Sequence, residues 1–282
     1  MSSNTKKIII LVVIILILSA LMSAICGIST LGIRLFKSNH DSSAQTWTLN
    51  ERFSDIRVSS KTSDIRILQA PDGKPKVEWT GNGTMKLNVK VRNGELSVEE
   101  RNRFPIFRFL NITSGDPVIK VYLPKGNYEK IDAESDTGSV SVNSVSAENL
   151  DAESDTGSVR LTDVNVSREA EAKTDVGRVE LTNLSCGTLD AHTDTGSITM
   201  TNVIAAGALK AESDTGSIRL DRCDAASLDL KSDTGSITGT LLSSKIFVTK
   251  TDLGRISVPD TTSGGTCRAE TSIGSIELSV IR

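Results

Sequence analysis

The feature that most constrains this chain is a glycine that returns every 19 or 20 residues. It falls at Gly138, Gly157, Gly177, Gly196, Gly216, Gly235, Gly254 and Gly274, and the sequence around each copy is self-similar. A fixed period near 20 marks a stacked architecture, in which each repeat buries its apolar side only against its neighbours.

With the glycine as position zero, position +2 is always Val or Ile, from Val140 to Ile276. Position +4 is apolar in every repeat but one, where Gly239 stands. Position −7 is mostly Leu or Ile, −5 is mostly Ala, and −3 is always Ser or Thr. Positions −6, −4, +1, +3 and +5 are mostly polar or charged. That alternation has a period of two on both flanks of the glycine, so each repeat is expected to carry two strands with one buried face. Asp-Thr-Gly forms the turn between them in five copies, opened by Asp136, Asp155, Asp194, Asp214 and Asp233. Asp is expected to hydrogen-bond turn amides, while glycine supplies a positive φ.

A single antiparallel sheet of such strands would leave one apolar face in water. A coil that returns to the same azimuth every repeat buries the inner faces against each other and stacks like residues about 4.8 Å apart. The fold expected is therefore all-β, a parallel β-solenoid of about eight rungs over residues 131–282, with the −3 hydroxyls forming an internal ladder. A meander of hairpins is the competing arrangement. Aromatic residues are only 4% of the chain, which suits a thin layered core better than a thick globular one.

Residues 47–130 are less regular. Strands are expected at Trp47–Val58, Lys61–Leu68, Lys76–Thr80, Leu87–Arg92, Glu95–Val98 and Val118–Leu123, with Asn93-Gly94 as a hairpin turn. Val58 to Ile67 reads as a degenerate repeat. The region is expected to cap one end of the stack, because an open coil end invites aggregation. The exposed edge of the last repeat, Ile276–Ile281, is a candidate for pairing with another copy, so homo-oligomerisation is open.

Residues 8–28 contain no charge, and 21 helical residues rise about 31 Å, enough to cross a bilayer core. The expected layout is a cytoplasmic tail over 1–7, an uncleaved transmembrane helix over 8–30, a polar tether over 31–46, and a body outside the cytoplasm. The net charge is −3, and the first 37 residues hold four basic groups and no acid, leaving −7 for the body. Such a body lacks the basic face that a nucleic-acid binder needs.

Candidate chemistry is sparse. Asp-Thr-Gly-Ser is also the sequence around the catalytic carboxylates of pepsin-like proteases, but that chemistry needs two carboxylates sharing a proton in paired lobes. Here five exact copies recur every 19–20 residues or a multiple of that spacing, so a structural turn is preferred. The Asp column is otherwise open to a cation or carbohydrate. His192 falls in a mixed-charge column at −4, not beside a buried acid and an exposed nucleophile as a Ser-His-Asp site requires. The cysteines Cys26, Cys186, Cys223 and Cys267 occupy different phases of the repeat, so no disulfide framework, metal site or cofactor is expected. One segment breaks the pattern: Arg101 to Leu110 interleaves Arg101, Arg103 and Arg108 with Phe104, Phe107 and Phe109. Such a mixture suits a headgroup surface or a partner groove, or a plug for the coil's end.

The apolar N-terminus, Leu123-Pro124 before the repeats, and the Ser-Asp-Thr-Gly-Ser-Val/Ile units resemble the bacterial family of unknown function labelled "putative adhesin". In layout the chain is similar to that family's LiaG-like, membrane-anchored members. The resemblance implies a non-catalytic protein of the cell envelope, its solenoid held outside the membrane, with a link to envelope stress. Its implied partners are an envelope polymer, a lipid or a membrane protein. It supplies no catalytic residues. A carbohydrate-active β-helix enzyme and a regulatory partner of a membrane sensor are the alternatives.

Overall fold

A computed structural model describes residues 44–81, 85–102 and 117–281. All regular structure among them is β, in one 19-stranded sheet that coils on itself. The transmembrane segment expected over 8–30 lies outside the described residues. Among those described, no helix is long and apolar enough to cross a membrane.

The central rungs run through the long strands β10 (Ser146–Thr156), β11 (Val159–Val176), β12 (Val179–Thr195), β13 (Ile198–Thr215) and β14 (Ile218–Thr234). Each pairs in parallel with the next at the register the repeat dictates: Val159 opposes Val179, Val179 opposes Ile198, and Ile198 opposes Ile218. The +2 and −7 side chains stack in closed columns, with Val159, Val179, Ile198 and Ile218 fully buried. The parallel solenoid is thus the fold, and the meander is excluded.

Each rung differs from the expected two strands. It has three inward-facing segments, because the stretch after position +5 turns a second corner and buries +7 and +9 as well: Val164 and Val166, Leu184 and Cys186, Val203 and Ala205. The corner residue at +6 has a left-handed backbone in Ser144, Asp163, Asn183, Asn202 and Arg222, with φ of 52° to 56°. Asn and Asp tolerate that conformation better than other non-glycine residues. Their side chains also bond along the stack, Asn183 Nδ2 to Asp163 at 2.7 Å and Asn202 Nδ2 to Asn183 at 2.9 Å. The repeat length of 19–20 holds three sides, which a reading of hydrophobic alternation around the glycine alone does not show. A third corner near +10 to +12 absorbs the one-residue variation in period, and the register shifts fall there.

The −3 hydroxyls form the internal ladder. Ser154, Thr174, Thr193, Ser213 and Ser232 are buried, and each donates to the carbonyl of the glycine in the adjacent rung, at 2.7–3.1 Å. The glycine is required by closeness as well as by backbone angle. At Gly196, with φ 154°, a Cβ would collide with the Gly177 carbonyl oxygen below it.

Both ends depart from chain order. At one end, β2 (Asp55–Ser60) and β3 (Asp64–Gln69) form a rung with Ile56, Val58, Ile65 and Ile67 in the inner columns, as the degenerate repeat predicts. This rung lies between two later ones. On one side are β8 (Asn127–Ser135) and β9 (Val140–Asn143), on the other β6 (Glu95–Asn102) and β7 (Val118–Leu123). β4 (Lys76–Thr80) and β5 (Met85–Arg92) then pair antiparallel with β7 and β6, and β1 (Gln45–Thr48) pairs with β4. The single strand expected over Trp47–Val58 is two, β1 and β2, which belong to different layers.

At the other end, β18 (Gly265–Ile273) and β19 (Ile276–Val280) sit between β14–β15 (β15, Ile237–Leu241) and β16–β17 (Lys245–Leu253, Ile256–Ser257). The final repeat is therefore not the outermost rung. β19 pairs with β15 along its length and with β17 at Ile276 and Glu277, so the expected free edge at Ile276–Ile281 is corrected to β16–β17.

Candidate functional site

The turn aspartates form a column along one edge, but their carboxylates do not cap the turns. The turn amides are held by inter-rung backbone bonds such as Gly196 N–H to Thr215 O, at 2.9 Å, and Gly138 N–H bonds to the Ser135 hydroxyl. The inner hydroxyl and the following rung outcompete the aspartate, which is left facing water. Its neighbours are basic side chains: Asp136 meets Lys61, at the matching position of the adjacent rung, at 2.6 Å, while from the −4 column His192 Nε2 lies 2.9 Å from Asp194 and Lys231 lies 4.0 Å from Asp233. Asp155 and Asp214 occupy the same column. This is a solvated, charge-compensated edge, and His192 belongs to it.

Beside that edge the −6 and −4 columns make an acidic face in the first glycine rungs, from Asp132, Glu134, Asp151, Glu153, Glu171 and Asp190. Parallel stacking brings like charges one strand apart, since Asp151 opposes both Asp132 and Glu171. Burial, then the charges of Glu171 and Asp132, hold the Asp151 carboxyl above its ordinary range; burial and Asp151 do the same to Glu153. Asp151 Oδ1 and Asp190 Oδ1 are shielded from water and accept no hydrogen bond. Lys173 on Glu171 at 2.8 Å and Arg57 on Asp132 at 3.3 Å offset part of the repulsion. Among the described residues no three His, Cys, Asp or Glu side chains converge as metal ligands must.

Of the Arg/Phe segment, Arg101 is described; Arg103, Phe104, Phe107, Arg108 and Phe109 lie outside the described residues. Arg101 ends β6, pairs with Glu99 at 2.6 Å, and borders a groove of about 660 Å³ with Trp47, Trp79, Met85 and Leu87. Both tryptophans of the chain are thus brought to one place, because β1 and β4 pair with Trp47 opposite Val77 and Gln45 opposite Trp79. A smaller cleft of about 390 Å³ on another side is lined by Arg66, Arg160 and the hydroxyls of Ser139, Ser141, Ser158 and Thr162.

Sequence reasoning missed Glu100. It occupies the −3 column in the rung formed by β6, where every glycine rung has a hydroxyl, and it is buried. Its carboxylate accepts from the Ser60 hydroxyl at 2.7 Å, from the Ser63 hydroxyl, and from the amides of Lys61, Thr62 and Ser63 at 3.0–3.3 Å. It closes the hydroxyl ladder with an acceptor where no further glycine carbonyl is available. Leu96, Val98 and Glu100 could have been aligned to −7, −5 and −3, but this rung lacks the glycine that sets the phase. The buried thiols Cys186 and Cys223 are pushed up to about 11 and Cys267 to about 12 by burial, so they stay protonated and unreactive at neutral pH.

These features define a β-solenoid repeat protein with ladders inside and charge outside. The chain belongs to the Toastrack DUF4097 family, whose sequence pattern matches residues 53–281. No curated protein matches it. Among solved structures, a "putative adhesin" from Bacteroides fragilis is similar at 15% identity and a TM-score of 0.43, covering 85% of this chain and 97% of that one. A "putative adhesin" from Parabacteroides distasonis follows at 12%, with 86% and 98% covered and a TM-score of 0.40. A "putative lipid binding protein" from the same species gives 13%, 86%, 98% and 0.40.

Proposed function

We propose that this protein is a non-catalytic binding scaffold of the cell envelope. A transmembrane helix over residues 8–30 anchors it, and the solenoid stands outside the cytoplasm as in LiaG-like proteins linked to envelope stress. The observation that carries this reading is the regularity of the outer columns. Each rung sets equivalent polar side chains at one azimuth and one strand spacing apart, a surface matched to a repetitive polymer or a lipid headgroup layer. Catalysis on such a coil requires acids and bases that break the ladder and converge; here the acids stay in column. The Trp47–Trp79–Arg101 groove is the place where aromatic faces and a cation meet, and it is the contact site this reading favours.

Two measurements test it. The full-length protein, solubilised from its own envelope, is used to recover bound wall polymer, lipid or membrane protein, alongside an Arg101→Glu/Trp47→Ala variant. Loss of the recovered partner in the variant supports the groove; an unchanged partner set removes it. Cleavage of wall polysaccharide by the purified protein would sink the non-catalytic reading.

A further inference from the structure

We infer that a second copy of this chain docks on the outermost rung, β16–β17, edge to edge about a two-fold axis. Four observations lead there. β16 pairs with β18 on one side and, among the described residues, with no strand on the other. Its inner side chains are uncovered for lack of a further rung: Phe247, Thr249 and Thr251 are half-buried, where their equivalents Leu228, Leu230 and Ser232 in β14 are buried. Ile256 is 42% exposed, whereas Ile237 and Ile276 in the same column are fully buried.

The outward side chains change character on this rung alone. Position −6 is charged in all seven other glycine rungs, including Asp229 and Arg268 in the two nearest, yet here it is Val248, 52% exposed. Position −8 becomes Ile246. Among the described residues, seven of the nine exposed large hydrophobic side chains follow residue 241, including Leu242, Ile246, Val248, Leu253 and Ile273. Unpaired edges are ordinarily protected by charge, proline or a bulge; this one carries an apolar side chain at −6, the position that charge occupies in the other glycine rungs, as a covered interface does.

The occupant is a second copy because the edge complements itself. In an antiparallel pair with the axis at Thr251, Lys250 of each copy faces Asp252 of the other. The two reciprocal ion pairs involve groups whose own contact within the chain is loose, at 3.8 Å. Head-to-tail stacking would not continue the parallel coil, since the opposite end is finished by the antiparallel strands β4 and β5. An isologous contact uses both free edges and stops at two chains.

The test is the mass of the full-length protein in detergent micelles by sedimentation, with detergent accounted for. The expected result is two chains for the native protein. Lys250→Asp places like charges opposite each other and weakens association about tenfold or more. The charge-exchanged double variant Lys250→Asp/Asp252→Lys restores it. Because these side chains face solvent, both variants keep the native circular dichroism. A native protein that sediments as one chain overturns the inference. So does a dimer that survives Lys250→Asp, which would place the contact elsewhere, or a double variant that fails to regain mass.

Discussion

Replacing Thr193 with valine tests the internal ladder directly. The Thr193 side chain is fully buried, and its hydroxyl lies 3.1 Å from the Gly177 carbonyl. Among the described residues no backbone amide is directed at that carbonyl. Valine keeps the shape and removes the donor. The loss is a net hydrogen bond, about 1 kcal/mol, plus the cost of leaving a buried carbonyl unpaired, about 1–3 kcal/mol. The new methyl returns roughly 0.8 kcal/mol of apolar burial. The expected destabilisation is therefore about 2 kcal/mol. Thr193→Ser keeps the donor and loses one methyl, for about 1 kcal/mol. Urea unfolding followed by circular dichroism reads both as midpoint shifts at constant slope. The order native, serine, valine is required. A valine variant as stable as the serine variant would mean the hydroxyls are passengers and the apolar columns alone set the stack.

Three further outcomes follow from the ends and the acidic face. Glu100→Ala strips four donors of their acceptor and leaves the Ser63 amide only the Ser60 hydroxyl, so stability falls by about 3 kcal/mol and the amides of Lys61 and Thr62 exchange hydrogen faster than those of the central turns. Lys245 is buried against Asp224 at 2.6 Å; burial pushes the Asp224 carboxyl up, but the Lys245 ammonium and Ser243 hydroxyl outweigh it and hold the group below its ordinary range. Lys245→Met costs about 2–3 kcal/mol in a neutral-pH melt, and Lys245→Met/Asp224→Ala recovers part of it. Asp151 has its folded-state value raised, so as pH climbs the unfolded chain gives up this proton first and stability drains from the native state. Asp151→Asn is thus more stable than the native protein at neutral pH, with the advantage fading below about pH 4, where the carboxyl is protonated in both states.

How much could be read in advance differs from residue to residue. Val140, Val159 and Val179 recur at one phase, and burying them fixes parallel stacking, so the coil and its hydroxyl ladder were legible. The corner at Asp163, Asn183 and Asn202 was present in the sequence but obscured: its neighbours alternate like those of a strand, and the left-handed backbone of one residue leaves no hydrophobic signature. The order of the end rungs was not legible at all. Any repeat with Ile at +2 and a hydroxyl at −3 fits any neighbour, so sequence specifies what stacks without specifying which rung lies next to which. Glu100 escaped for a related reason, since its rung has no glycine to set the phase. The edge chemistry of Ile246 and Val248 was visible as a lapse in the charged columns, and it acquires meaning only once β16 is known to be outermost.

The tucked order of the far end has a consequence for how the molecule is made. During synthesis, residues 245–257 emerge before 265–280, yet they belong outside them. The earlier segment cannot close permanently onto β14–β15, because that berth is reserved for strands not yet translated. A ribosome-bound or truncated chain lacking residues 265–280 therefore leaves β16–β17 free to stack provisionally on β14–β15, whose columns it also fits. The arrival of β18 and β19 displaces that provisional contact and seats both rungs in their final order. The order of closure is in this way written into the architecture, while extra copies of the repeat could be spliced between Gly157 and Gly235 without disturbing either end.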